Sequence, residues 1–331
     1  MYKRSRVYAA ELSNARSEIE KFLLYRRFAG GKAMRVSEKY LEYETAAKEK
    51  ITIPVIEMAG AEDGPRVAIT AGALGCEYSA IAAAIGLKRF LRNKRLLGTL
   101  TIAAAADVAA FEARRSFAAR LGEKNTRGDY SEALAYHLLN DVVAKADYHI
   151  ALGGCDATAE LEPFAIYCSC SGEKITEGSR LLAEAFAPPN VVEVTRGSPF
   201  VLGGECEAAA EAGVPSALFA AGGASSDAGT YFRGIVGALK FAGALGGEAL
   251  SPLPPRRFKA LIALRASKKG FYRGEASVGD ELLKGDGVGV LTDYFGNAVE
   301  EVVTPAAGRL LIAAASPAMP EGGFAAAVAL R

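Results

Sequence analysis

Between about residues 50 and 245 short apolar runs alternate with longer segments whose apolar residues recur at helical spacing. The runs Ile51 to Glu57, Arg66 to Thr70, Thr99 to Ala105, Tyr148 to Leu152, Phe164 to Cys168, Val191 to Thr195 and Ala217 to Ala220 read as strands. Helices are predicted between them over Glu77 to Arg92, Tyr130 to Ala144, Lys174 to Ala185 and Gly229 to Ala244. Such alternation predicts an α/β domain over 50–250, with a largely parallel sheet covered by helices on both faces. Ligands in such sheets bind beyond the carboxyl ends of the strands. The glycine-bearing loops Gly72 to Cys76, Gly153 to Ala157 and Ala221 to Ser226 occupy that place.

After Ser251-Pro-Leu-Pro-Pro255 the pattern changes to short β-like runs cut by turns such as Lys284-Gly-Asp-Gly and Phe295-Gly-Asn, which predicts a small all-β domain over 256–331. Residues 1–49 are mostly polar and helical in tendency and are expected to form a helical extension.

Composition narrows the function. Lys plus Arg number 39 against 38 Asp plus Glu, so no global field draws nucleic acid or an anionic membrane. No apolar stretch approaches a membrane span and the charged start does not read as a signal peptide, so a cytoplasmic protein is expected. The five cysteines, with no CxxC pair, are expected to be reduced. Dinucleotide and P-loop patterns are absent.

The stretch Val67-Ala-Ile-Thr-Ala-Gly-Ala-Leu-Gly-Cys-Glu-Tyr-Ser79 resembles the strand-loop-helix of the succinylglutamate desuccinylase/aspartoacylase family, a branch of the zinc carboxypeptidase fold. The resemblance continues through Gly98-Thr-Leu-Thr-Ile102, Phe111-Glu-Ala-Arg114, Ala146-Asp-Tyr148, Glu211-Ala-Gly-Val-Pro215, Thr292-Asp-Tyr-Phe-Gly296 and Val303-Thr-Pro-Ala-Ala-Gly308. It implies a zinc-carboxypeptidase-like α/β sheet with a C-terminal barrel-like segment. It also implies a zinc ion that activates water against the amide of an N-acyl amino acid, held by two histidines and a glutamate.

Most of that machinery is replaced. Of the implied ligands only Glu77 is present; Leu74 and Gly153 stand where the histidines belong, and Ala220 where the catalytic glutamate belongs. A leucine cannot ligate metal, a glycine offers no side chain and an alanine cannot take a proton from water. His149 lies four residues before Gly153 on a strand, about 13 Å away, and His137 falls in a helical pattern, so neither is placed to substitute. For substrate, the resemblance points to an arginine after a loop asparagine that clamps a carboxylate; Lys124-Asn-Thr-Arg127 resembles that stretch in shortened form with Thr126 in the asparagine position, so Arg127 and the adjacent Asn125 are candidates, with Arg114 as a second arginine.

The leading expectation is a pseudoenzyme without cofactor. It would bind a small carboxylate ligand or a protein partner, such as another copy of itself or an active paralogue. The competing reading is a divergent metallohydrolase of N-acyl amino acids, its zinc held by Glu77 with Cys76, Cys155 or Asp156. A third is a structural subunit whose cavity has filled with apolar side chains.

Overall fold

The computed structural model describes residues 34–114, 130–154, 158–198, 204–222, 228–247 and 254–331. The first strand, β1 (Arg35–Glu44), lies antiparallel to β2 (Lys50–Ala59) over its whole length. This corrects the expectation of a helical extension through residue 49: Leu41 and Tyr43 alternate onto the core, and the remaining polar side chains stay in water because β1 is an edge strand.

β3 (Glu62–Ala71) runs into α1 (Tyr78–Leu91), and β4 (Leu97–Ala103) runs into the short α2 (Val108–Glu112). α3 (Tyr130–His137) continues as a π-helical turn over Leu138–Val143, where Ala144 N–H reaches back to Leu139 O. Then come β5 (Tyr148–Gly153), β6 (Ala159–Cys168), α4 (Glu173–Ala185), β7 (Asn190–Val194), α5 (Gly204–Glu211), β8 (Ser216–Gly222) and α6 (Ala228–Phe241).

From residue 256 every described element is a strand: β9 (Arg256–Phe258), β10 (Ala260–Arg265), β11 (Gly270–Gly274), β12 (Glu281–Leu282), β13 (Gly287–Thr292), β14 (Ala298–Val303), β15 (Gly308–Ala314), β16 (Ala318–Met319) and β17 (Phe324–Leu330). The main sheet runs β1-β2-β4-β3-β5-β8-β6-β15-β17-β10, with β7, β9 and β12 attached beside it. Its centre, β4-β3-β5-β8, is parallel. The order β14-β13-β11-β16 forms a separate antiparallel sheet. The Pro-rich segment is therefore not a sheet boundary: β9 pairs with β7, and β15 with β6.

The central strands are apolar on both faces because both are covered. Ile69, Leu100, Ile150 and Phe219 meet α1, α4 and α6 through Leu87, Leu182 and Ile235. On the other face Ile53, Val55, Ala68 and Ala103 pack under Leu134, Leu138 and Val142 of α3 and the π turn. Among the described residues no helix is long and apolar enough to cross a membrane.

Candidate functional site

The loop from β3 to α1 sets the first half of the locus. Gly72 takes a left-handed φ of 73° that lets the chain turn off the strand. Gly75 lies so close to Ala110 that an added Cβ would sit 2.3 Å from its carbonyl. These glycines fix the loop and deliver Leu74 inward, 6% exposed, and Glu77 inward, 2% exposed.

Leu74 and Cys76 belong to one buried apolar cluster with Ala151, Phe164, Leu218 and Ala220. Leu74 and Ala220, two positions at which the resemblance implied a zinc ligand and a catalytic base, thus lie in continuous core. Gly153, at the end of β5, is the third: a Cβ there would stand 3.4 Å from Glu77 Oε1 and 3.4 Å from Leu218 Cδ1. The position expected for the second histidine therefore does face Glu77.

Glu77 is engaged elsewhere. Its Oε2 accepts the Leu74 N–H at 3.0 Å and its Oε1 the Gly154 N–H at 3.2 Å, so one carboxyl group ties the β3–α1 loop to the end of β5. Burial pushes its pKa well above the usual carboxylate range; the two backbone N–H groups pull it down, and the neighbouring Glu205 pushes it further up.

Beneath this lies a polar chain drawn from four elements. Ser216 Oγ stands 2.8 Å from His149 Nδ1, His149 Nε2 3.0 Å from Thr70 Oγ1, and Thr70 Oγ1 donates to Glu205 Oε2 at 2.6 Å. Because the Thr70 hydroxyl spends its proton on Glu205, His149 must donate from Nε2 and accept from Ser216 at Nδ1. Burial drives the His149 pKa down to about 3, so the ring is neutral and its 3.8 Å approach to Glu205 is not an ion pair. Burial also raises the Glu205 carboxyl, against the Thr70 bond that lowers it. The group has the atoms of a Ser-His-acid relay, but Ser216 and His149 are fully buried, so no substrate carbonyl reaches the hydroxyl. This network had no linear signature, since its members come from β3, β5, α5 and β8.

The other expected residues are scattered. Arg114 is exposed at the end of α2 with a left-handed φ of 53°. His137 stacks on Tyr43 away from Glu77, with ring centroids 3.4 Å apart. Arg127, Asn125, Cys155 and Asp156 lie outside the described residues. Cys76 is buried, and among the described residues no three His, Cys, Asp or Glu side chains are grouped to hold a metal ion.

Among the described residues, those at this locus do not fit a zinc ion: Leu74 and Gly153 bring no donor, and both oxygens of Glu77 already accept backbone N–H groups.

The parallel centre, the antiparallel flanks and the attached β segment define a zinc-carboxypeptidase-like α/β protein with a C-terminal β extension. More particularly, the chain has the fold of the succinylglutamate desuccinylase/aspartoacylase proteins. The product-bound ectoine utilization protein EutE (DoeB) of Ruegeria pomeroyi matches with a TM-score of 0.77 at 19% identity, over 92% of this chain and 98% of that one. A succinylglutamate desuccinylase/aspartoacylase of Rhodobacter sphaeroides matches with 0.73 at 18% identity, over 92% and 97%. An aspartoacylase family protein of Mesorhizobium loti matches with 0.72 at 17%, over 92% and 98%. No protein-family model and no curated protein sequence matches the chain.

Proposed function

We propose that this chain is a non-hydrolytic relative of the succinylglutamate desuccinylase/aspartoacylase enzymes, its metal locus converted to packed core and its work done by binding. The observation that carries the reading is the joint burial of Leu74 and Ala220 in one apolar cluster, beside a Glu77 whose two oxygens hold backbone N–H groups. Zinc hydrolysis needs an open coordination position, a polarised water and a base beside it. Here a leucine and a glycine stand where two of the ligands would be, and an alanine stands for the base.

The same packing explains the buried carboxyl pair. A glutamate that once faced a dication keeps its place by accepting from the backbone, at the cost of desolvation, which its raised pKa expresses. The ligand class favoured for the binding role is a small carboxylate.

The test is an amide-hydrolysis assay of the full chain on a panel of N-acyl amino acids, with and without added zinc. No turnover above a Leu74→Arg control is expected under either condition. Zinc-dependent turnover that disappears in Glu77→Ala would replace this reading with that of a divergent metallohydrolase, in which Cys155 or Asp156 completes the ligand set.

A further inference from the structure

A groove with a cavity volume of about 390 Å³ opens between β1–β4 and the end of the π turn. Arg66, on its wall, precedes Ala71 by five residues on β3, and so lies about 16 Å along the strand from the loop that carries Glu77. The size falls in the range of small-molecule sites. Leu41, Val55 and Val142 give it an apolar floor, and its walls are charged.

Both carboxylates in the groove already have donors. Glu57 accepts from Lys39 Nζ at 2.7 Å and Ser37 Oγ at 3.4 Å. Asp141, in the π turn, accepts from Tyr43 Oη at 2.9 Å, His137 Nδ1 at 3.2 Å and Lys145 Nζ at 3.1 Å. Burial pushes the Asp141 carboxyl up, but these three donors outweigh it and hold the group below the usual range, so it stays ionised and occupied.

The donors are not used up. Lys39 and Lys145 each commit one ammonium hydrogen to those carboxylates. Arg66 commits Nε and Nη2 to Asp147, which does not line the groove, and Nη1 enters no hydrogen bond among the described residues. Thr99 and Thr101 line the same wall on β4, and their hydroxyls enter none there either. Three cations from three separate segments, each paired with one carboxylate, and two hydroxyls thus converge on one cavity with N–H and O–H groups to spare.

We propose that this groove is a binding site for a small carboxylate anion, held by Lys39, Arg66 and Lys145 with the Thr99 and Thr101 hydroxyls. It goes beyond the reading of the Glu77 locus and does not depend on it. Charge and hydroxyl donors together select an acceptor-rich anion over a cation or a neutral apolar molecule. The apolar floor accommodates a short aliphatic stem.

The experiment is calorimetric titration of the full-length protein with succinate at low ionic strength, on wild type, Thr101→Val, Lys145→Glu and the distant surface variant Lys284→Ala. Saturable one-site binding is expected in wild type and in Lys284→Ala, weakened about tenfold or more in Lys145→Glu and severalfold in Thr101→Val. Thr101→Val keeps the β-branched shape of a strand residue, so it carries the test if the charge reversal fails to fold. Absence of saturable binding would overturn the proposal. So would equal binding by wild type and both groove variants, or loss of binding in Glu77→Gln with the groove variants unaffected. Hydrolysis is read separately, so failure here leaves the non-hydrolytic reading standing, and the reverse also holds.

Discussion

Leu74 decides whether the locus beside Glu77 is packed core or open cleft. A leucine at the rim of an open cleft contributes little on truncation, whereas one packed against Ala220, Leu218 and Phe164 leaves a void. Leu74→Ala is expected to lower stability by about 2–4 kcal/mol, measured by urea unfolding; a change within about 0.5 kcal/mol would mean that the locus is open. Glu77 makes a pH prediction. Its folded pKa is raised, so the native state keeps a proton that the unfolded chain releases above about pH 4.3, and stability falls as pH rises from there toward the folded pKa. Wild type should therefore lose more stability between about pH 5 and about pH 8 than Glu77→Gln does, although the glutamine is less stable at the lower pH because it turns an N–H toward a backbone N–H. A steeper pH slope in the variant would contradict this. At this scale the three positions could be placed from the sequence because Leu74 follows a strand in a strand-loop-helix motif, and Gly153 and Ala220 lie at or near the ends of apolar strand runs. What fills the space could not, since Phe164 and Leu218 come from strands far away in sequence.

At the scale of elements, α2 and β1 show where the pattern of residues ran out. α2 spans only Val108–Glu112, too short for helical periodicity to register, and α5 is an eight-residue stretch dominated by alanine and glutamate. β1 hid for another reason: it is an edge strand exposed along most of its length, so only Leu41 and Tyr43 carry an inward signal. The central strands, by contrast, read directly, because burial on both faces demands apolar runs. The end of α2 yields a test of Arg114. A non-glycine residue in left-handed conformation just past a helix is strained, and glycine is favoured there. Arg114→Gly should raise stability by about 0.5–1 kcal/mol in thermal unfolding; a loss would show that the arginine side chain holds this region together. On β1, Tyr43→Phe keeps the stack on His137 but removes the hydroxyl from Asp141, at an expected cost of about 1 kcal/mol.

Across the described residues, the main sheet runs without a break from β1 to β10, so strands from both sides of the Pro-rich segment share one sheet, while β14-β13-β11-β16 forms a second. Arg309 of β15 fastens the seam: its Nε and Nη2 donate to Glu162 of β6 at 2.7 and 2.8 Å, and its Nη1 to Glu281 at 3.0 Å. Those hydrogen bonds raise the Arg309 pKa against the opposing effect of burial, and the pair is mostly shielded from water. Residues 34–331 form one compact unit and should unfold in a single transition. Arg309→Met should lower its midpoint, by about 1.5–3 kcal/mol in stability; two separate transitions in calorimetry would contradict the continuous sheet. The Pro-rich segment before residue 256 marked a change of element type correctly, but composition cannot show that β9 and β15 return to pair with β7 and β6. Whether the Glu77 locus holds a metal is read by elemental analysis of the protein purified without added metal and again after incubation with zinc. No stoichiometric zinc is expected in either sample. Zinc near one equivalent in wild type, lost in Glu77→Ala, would contradict this and restore the locus to metal chemistry.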